Sequence, residues 1–224
     1  MSAATDFDVW FTMGSTYTCL TALRIPQVER TTGVKIRWRP FNLRTILQEM
    51  KHIPFADKPA KCAYMWRDIQ RRAAMYGLSV RVPVPYPLKE NALANKIALI
   101  GMREGWGKDF VRASYRRWFQ KGQESGSEPN VSESLRECSQ DPERVLDLAR
   151  GEYGERCLED ETAEARKLNV FGSPTFVVGR ELFWGDDRLE DAISWYRHGC
   201  VRLPADTLDA LTPLDIPEPD SLGG

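Results

Sequence analysis

Segments that read as β-strands occur only near the two ends of this 224-residue chain. Near the N-terminus, residues 8–12 and 34–38 have strand character and flank residues 16–29, which are predicted to be helical. Near the C-terminus, residues 175–178 and 181–184 flank a Gly-Arg pair, the pattern of a β-hairpin with a two-residue turn. A β-α-β order favours a parallel strand pair. The sequence therefore favours one sheet built from both ends of the chain.

The segment between these ends, from about residue 43 to 168, has little strand character. Two helix starts carry capping signals, because Asn130 has Glu133 three residues on and Asp141 precedes Pro142. Helices are predicted at residues 59–76, 91–103, 108–120, 131–138, 142–150 and 156–168, with a closing helix at 187–196.

This order of elements is that of the thioredoxin fold with an insertion. The fold class predicted is α/β, a thioredoxin fold with a large all-helical insertion between its second and third strands. Residues 1–42 and 168–198 are predicted to form the thioredoxin-like domain, and residues 43–167 the inserted helical domain. Residues 199–224 are rich in proline, aspartate and small residues and are predicted to be a mobile C-terminal tail.

Charge and cysteine usage exclude several functional classes. The formal net charge of −1 provides no global field for nucleic acid or an anionic membrane, and we expect neither as a partner. The N-terminus has no basic region followed by an apolar stretch, so we expect a cytoplasmic protein without a membrane segment. The five cysteines form no C-x-x-C pair and are expected to be reduced thiols. With only two histidines, no metal site is expected.

The first chemical motif follows the first predicted strand, at the turn where thioredoxin-like proteins carry their working sulfur. Ser15 and Thr18 occupy the two positions of a C-x-x-C pair, and Cys19 lies one residue out of that frame. Disulfide exchange needs thiols, so any sulfur must come from a bound molecule. The hydroxyl of Ser15 could donate a hydrogen bond to a thiolate at the helix N-terminus. Alternatively, Ser15 only caps the helix.

The second motif is Ser173-Pro174, directly before the third predicted strand. In thioredoxin-like proteins a proline at this place is cis and faces the active-site turn. A cis bond exposes the backbone of Ser173 to a peptide-like ligand. The alternative is an ordinary trans proline that starts a strand.

Together these motifs resemble the DsbA-like branch that contains 2-hydroxychromene-2-carboxylate isomerase and the kappa-class glutathione transferases. The matching segments follow the family order across most of residues 6–197. They are Gly14-Ser15-Thr16-Tyr17-Thr18, Arg39-Pro40-Phe41-Asn42-Leu43, Lys58-Pro59-Ala60-Lys61 with Tyr64-Met65, and Phe171-Gly172-Ser173-Pro174-Thr175-Phe176 with Phe183-Trp184-Gly185-Asp186-Asp187-Arg188.

The resemblance implies glutathione as the cofactor and assigns roles around its sulfur. Ser15 would be the catalytic residue, favouring the glutathione thiolate. Ser173 would pair through its backbone with the cysteinyl part, and Pro174 would be cis.

The resemblance also assigns the two ends of the tripeptide. Lys61 would bind a glutathione carboxylate, and Asp187, helped by Asp186, would hold the γ-glutamyl amine. The alternatives are a solvated helix lysine and an acidic pair that compensates a helix dipole. Relatives often carry an asparagine near residues 50–53, where His52 could substitute or be a surface residue.

The implied function is a glutathione-dependent isomerase of the 2-hydroxychromene-2-carboxylate type, a homodimer acting on a small aromatic substrate. A kappa-like glutathione transferase or peroxidase and a non-catalytic thioredoxin-like binding protein are the alternatives. The aromatic residues at 64–66 and 115–119 have the spacing of a core or dimer face, although the insertion is expected to wall off an apolar substrate cleft over Ser15.

Overall fold

The computed structural model describes residues 6–52, 55 and 58–202, and its centre is a four-stranded sheet. The strands β1 (Phe7–Phe11), β2 (Arg37–Pro40), β3 (Thr175–Val178) and β4 (Glu181–Trp184) lie in the order β2-β1-β3-β4. β1 pairs parallel with β2 and antiparallel with β3, and β3 and β4 form the predicted hairpin. One sheet is therefore built from both ends of the chain, as predicted.

The helices confirm the α/β thioredoxin fold with an all-helical insertion between the second and third strands. Helix α1 (Thr16–Thr32) connects β1 to β2, and a 3-10 turn (Asp186–Arg188) leads from β4 into α9 (Leu189–His198). The helices between β2 and β3 are α2 (Leu43–Glu49), α3 (Pro59–Met75), α4 (Asn91–Glu104), α5 (Gly107–Lys121), α6 (Asn130–Glu137), α7 (Pro142–Arg150) and α8 (Glu152–Lys167). Most of the predicted tail, residues 203–224, lies outside the described residues.

The sheet is buried on both faces, which explains why all five residues of β1 are buried. Phe11 faces the larger core, where its ring meets that of Trp38 edge to face at 5.7 Å between centroids. Trp10 faces the opposite side and packs with Phe41 at 6.0 Å. β1 therefore sits in the centre of the molecule, and the turn that follows it is held from several sides.

Local predictions failed where a tertiary contact overrode the local pattern. The second strand begins at Arg37 rather than at residue 34, because the backbone N–H of Ile36 donates to the carboxylate of Glu29 instead of to a strand. Pro40 belongs to this strand, which is at the edge of the sheet, where a missing N–H is tolerated. Helix α1, predicted over residues 16–29, includes Pro26 and extends to Thr32, and α2 was not predicted.

The predicted cap at Asn130 is wrong, whereas the cap at Asp141 is confirmed. Asn130 is the first residue of α6, and its buried amide donates to the carbonyls of Ser114 (3.0 Å) and Gln123 (2.8 Å). These contacts hold α6 against α5. Asp141 accepts a bond from the N–H of Glu143, with proline in the first turn of α7.

A buried ion cluster fastens the insertion to the thioredoxin-like part. The carboxylate of Asp186 is fully buried, receives two hydrogen bonds from Arg72 of α3 (3.0 and 2.8 Å), and accepts one from Thr21 of α1 (3.1 Å). Arg24 of α1 lies 3.5 Å from the same carboxylate and stacks over the ring of Tyr76. One buried charge thus joins three elements.

Removal of that charge tests how much the cluster contributes to stability. Asp186→Ala leaves Arg72 and Arg24 facing each other without their shared anion, so we expect a loss of about 3 kcal/mol in the free energy of unfolding. Asp191→Ala is the matched control, since Asp191 forms a surface pair with Arg188 and should cost less than about 1 kcal/mol. Denaturant unfolding measures both values, and equal losses would contradict the account.

Candidate active site

The turn between β1 and α1 presents the hydroxyl of Ser15 at the start of the helix. Ser15 Oγ accepts a hydrogen bond from the backbone N–H of Thr18 (3.3 Å), so its reading as a helix cap is confirmed. Capping uses the oxygen and leaves the hydroxyl proton available. That proton is donated to the carbonyl of Ser173 at 2.8 Å. Ser15 therefore caps the helix and still offers a hydrogen-bond donor.

The end of α1 that carries Ser15 has a positive electrostatic character. Its first turn contains no acidic residue, so the partial charge of the helix N-terminus is not compensated within the helix. The side chain of Ser15 is only partly buried. The turn is suited to an anion that can also accept a hydrogen bond.

The two sequence motifs meet at this turn. The Ser173–Pro174 bond is cis, as predicted. The side chain of Ser173 accepts from the backbone N–H of Thr12 (2.9 Å) and lies 2.9 Å from the hydroxyl of Thr18. The carbonyl of Ser173 thus contacts Ser15, and its side chain contacts Thr12 and Thr18, which precede and follow Ser15 in the chain.

The insertion also holds the Ser15 turn, through a tyrosine that the sequence analysis assigned to a core or dimer face. Tyr115, Trp118 and Phe119 are completely buried, so the core interpretation of this cluster is correct. The Tyr115 hydroxyl nevertheless lies 3.2 Å from the carbonyls of both Thr12 and Ser15. Burial raises the pKa of Tyr115 well above its usual range, so the phenol remains a donor.

A second support comes from α4. Asn95 is completely buried and accepts a bond from the backbone N–H of Met13 at 2.7 Å, while its amide nitrogen donates to the hydroxyl of Thr12 at 2.9 Å. Asn91, one turn earlier, accepts from the same hydroxyl at 3.1 Å. Sequence reasoning missed both residues. The available signal was two asparagines, i and i+4, within the apolar pattern of a predicted helix.

Cys19 is not placed to act as a nucleophile. It is completely buried in α1, and burial, together with the charge of Asp186, raises the pKa of its thiol well above the usual value. A neutral buried thiol is unreactive. All five cysteines of the chain are unpaired. The side chain at the exposed edge of the turn is therefore the serine and not a cysteine.

Lys61 lies in the first turn of α3 and is exposed. One turn further along α3, the sulfur of Met65 is 3.2 Å from the hydroxyl of Thr16, next to Ser15. The ammonium of Lys61 lies 5.2 Å from the ring centroid of Phe55 and has no ion pair within the described ranges. It is an exposed cation one helical turn before Met65, the residue of α3 that contacts Thr16.

The acidic pair is divided between the interior and the surface. The Asp186 carboxylate is fully buried in its ion cluster, whereas the side chain of Asp187 is 52% exposed and lies 3.7 Å from Arg188. The N–H of Gly185, just before them, donates to the carbonyl of Pro174 at 2.9 Å. The structure therefore ties the pair to the cis-proline segment, with only Asp187 open to a ligand.

Of the remaining residues near the insertion, His52 lies at the surface, whereas an aromatic group that includes Trp66 is partly buried against the larger core. His52 is exposed, after Lys51 in a left-handed backbone conformation. The rings of Phe55 and Trp66 each meet that of Tyr86 edge to face, at 5.8 Å. Two surface cavities of about 390 and 540 Å³ are lined entirely by residues of the insertion and do not include Ser15.

Within the described ranges, no helix is long and apolar enough to span a membrane. The same part of the chain contains no group of three or more His, Cys, Asp or Glu side chains that could hold a metal ion.

Comparison with known proteins identifies the family. The chain is 25% identical over 189 residues to a 2-hydroxychromene-2-carboxylate isomerase of Sphingobium xenophagum, covering 82% of this chain and 93% of that protein. It is 24% identical over 168 residues to glutathione S-transferase kappa 1 of Caenorhabditis elegans, covering 70% and 74%. A solved 2-hydroxychromene-2-carboxylate isomerase matches with a TM-score of 0.78 at 21% identity, covering 92% of this chain and 99% of that chain.

The resemblance drawn from the motifs is confirmed by these relatives and by a family model that covers most of the chain. That model, the DSBA-like thioredoxin domain, matches residues 7–195. This chain belongs to the DSBA-like thioredoxin domain family.

Proposed function

We propose that this protein is a glutathione-dependent isomerase of the 2-hydroxychromene-2-carboxylate type that acts on a small aromatic substrate. The observation that carries the proposal is the Ser15 hydroxyl, which lies at an uncompensated helix N-terminus beside the Ser173 carbonyl of the cis Ser173–Pro174 bond. In this proposal the sulfur comes from glutathione, and Ser15 stands where a cysteine of a C-x-x-C pair would be. Relatives named as an isomerase and as a kappa glutathione transferase support this reading.

The residues of the site fit glutathione at its centre and at both ends. Lys61 offers an exposed cation for a carboxylate of the tripeptide, and the exposed Asp187 offers an acceptor for its amine. The backbone of Ser173 would pair with the cysteinyl part. Because the carboxylate of Asp186 is enclosed by arginines, we assign it the role of holding the Asp187 segment in place.

When bound, glutathione supplies a thiolate that can add reversibly to a conjugated double bond and so permit rotation about it. The role of Ser15 is to turn its hydroxyl proton from the Ser173 carbonyl towards that sulfur. The exchange is favourable, because a hydrogen bond to an anion is stronger than one to a neutral carbonyl. The N-terminus of α1 stabilises the same charge. Hydrogen bonds from Tyr115 to the Ser15 carbonyl and from the Met13 N–H to Asn95 keep the turn in position.

We also propose that the protein is located in the cytoplasm, a reducing compartment in which glutathione is abundant and its five free thiols remain reduced. It also includes a homodimer. The aromatic cluster of Phe55, Trp66 and Tyr86 is proposed to border the substrate cleft.

A second candidate is a kappa-like glutathione transferase or peroxidase, which shares the thiolate site and differs in the electrophile. The kappa relative favours it. Conjugation of an aryl halide or reduction of a hydroperoxide, with no isomerisation, would support this candidate. A non-catalytic binding protein is favoured instead if calorimetry detects no glutathione binding.

Ser15→Ala tests the central role. Loss of a hydrogen bond to a charged group should lower kcat/KM at pH 7 by about 10- to 100-fold. Since the pKa of the bound thiol rises when the donor is lost, the acid limb of the pH–rate profile should move to higher pH. Steady-state kinetics across pH, at saturating glutathione, measure both effects.

The matched control for this variant is Thr31→Ala in the same helix. The Thr31 hydroxyl donates only to the carbonyls of Gln27 and Val28, so its removal should leave the profile unchanged. Ser15→Ala also loses a cap, which should cost about 1 kcal/mol of stability and is measured separately by thermal unfolding. Turnover without glutathione, or an unmoved acid limb in Ser15→Ala, would refute the mechanism.

Lys61→Met tests the carboxylate contact. We expect the KM for glutathione to rise about tenfold with little change in kcat, because the contact is the same in the ground and transition states. The control is Lys121→Met, an exposed lysine in the last turn of α5. Equal KM values for the two variants would argue against a role for Lys61.

A further inference from the structure

One face of helix α3 follows α1 from its first turn onwards. Met65, Asp68 and Arg72 are spaced three and four residues apart, so they share this face. The sulfur of Met65 lies 3.2 Å from the hydroxyl of Thr16. The carboxylate of Asp68 accepts a hydrogen bond from the phenol of Tyr17 at 3.0 Å. Arg72 donates to the buried ion cluster, which binds α1 one and two turns further along. Successive positions on α3 therefore meet successive positions on α1.

Lys61 is the next residue of the same face towards the N-terminus of α3. It precedes Met65 by four residues, about 6 Å along the helix axis. The contacts on α3 move towards the start of α1 as the residue number falls, and Met65 already meets Thr16, the first residue of α1. The position of Lys61 thus corresponds to the turn before α1, where Ser15 lies. The contact between α1 and α3 determines how these two side chains are spaced.

The Tyr17 phenol makes the directional contact between the two helices. Its ring packs partly buried against the larger core, and its hydroxyl donates to one oxygen of Asp68. The other oxygen of Asp68 accepts from Arg71 at 3.2 Å, which orients the carboxylate. Burial, and next the hydrogen bond to Asp68, raise the pKa of Tyr17 well above its usual value, so the phenol keeps its proton. The sulfur of Met65 is only a weak acceptor.

We propose that Tyr17 is a positioning residue that sets the spacing between the Ser15 hydroxyl and the Lys61 ammonium, and so selects a thiol peptide with a carboxylate beyond its cysteine. This inference rests on the proposed function. Ser15 caps the helix in which Tyr17 is the second residue, so the sulfur end of the site moves with Tyr17. Lys61 and Asp68 both belong to α3, so the carboxylate end moves with Asp68. The bond from Tyr17 to Asp68 joins the two ends.

The ligand group in question is the glycine carboxylate of glutathione. The tripeptide carries its γ-glutamyl amine on one side of the cysteine and this carboxylate on the other. Since Asp187 is proposed to hold the amine, the carboxylate on the opposite side is the one assigned to Lys61. A hydrogen bond between charged groups is sensitive to distance, so it depends on how closely α1 and α3 are held.

Binding of glutathione and of its glycinamide tests this assignment without any turnover. γ-Glutamylcysteinylglycinamide differs from glutathione only in carrying an uncharged amide where the glycine carboxylate stands. Titration calorimetry with the full chain, under reducing conditions at pH 7, gives the affinity ratio of the pair. We expect the wild-type protein to prefer glutathione about tenfold, the effect of one hydrogen bond between charged groups.

Tyr17→Phe removes the phenol oxygen and keeps the ring in place. We expect the preference for glutathione to fall to about threefold or less, because Lys61 is no longer held at the required spacing. The matched control is Tyr153→Phe in α8, whose exposed hydroxyl meets only Arg103 at 3.4 Å and which should keep the wild-type preference. A general loss of stability changes both affinities alike and leaves their ratio intact.

Variants of Asp68 show whether the hydrogen bond itself is responsible. Asp68→Asn keeps an oxygen that can accept from Tyr17, so it should retain the preference for glutathione. Asp68→Ala removes the acceptor and should lower the preference as far as Tyr17→Phe does. The double variant should be no worse than either single one, because both substitutions remove the same bond. Additive losses would contradict the proposal.

The outcomes separate this inference from the proposed function. A preference that persists in both Tyr17→Phe and Asp68→Ala would overturn the role of Tyr17 while leaving the glutathione site standing. Equal wild-type affinities for glutathione and its glycinamide would do the same. If the wild-type protein binds neither compound, the glutathione site is refuted, and the role of Tyr17 fails with it.

Discussion

The hydrogen bond from the Ser15 hydroxyl to the Ser173 carbonyl joins two segments that are 158 residues apart in the chain. It forms because β1 and β3 are neighbours in the sheet, with Trp10 opposite Thr175. The end of one strand and the start of the other thus meet at a single edge. At that edge the carbonyl of Ser173, which precedes the cis bond to Pro174, accepts the Ser15 hydroxyl. The role proposed for Ser15 depends on this meeting of a helix N-terminus with the partly buried peptide group of Ser173.

The insertion contributes to the chemistry by making the turn rigid. The phenol of Tyr115 and the amide of Asn95 satisfy backbone groups of the turn from outside the thioredoxin-like part. Such preorganised donors and acceptors do not have to reorganise when a charge appears. The ion cluster around Asp186 has a comparable role on the other side, since it anchors the segment that carries Asp187 to α1 and α3. The inserted helices therefore support both halves of the proposed glutathione site.

Much of this arrangement could be predicted from the sequence because it follows from local patterns. The β-α-β opening, the closing hairpin and the cap at Asp141 have signatures a few residues long. The pairing of Ser15 with the Ser173-Pro174 segment followed from the fold that those patterns indicate. Contacts that join distant segments through single side chains had no such signature. Asp186 reads as an ordinary acidic residue at a helix start, and only the folded chain shows that arginines from two other helices enclose it. Tyr115 likewise reads as core, and its hydroxyl contacts became evident only in three dimensions.

The most direct test of the account is a crystal structure of the protein with bound glutathione. The account predicts that the sulfur lies within hydrogen-bond distance of Ser15 Oγ, at the N-terminus of α1, and that the hydroxyl has turned from the Ser173 carbonyl towards it. The cysteinyl backbone should pair with Ser173. A tripeptide bound elsewhere, or a sulfur out of reach of Ser15 with the Ser15–Ser173 bond intact, would contradict the central claim.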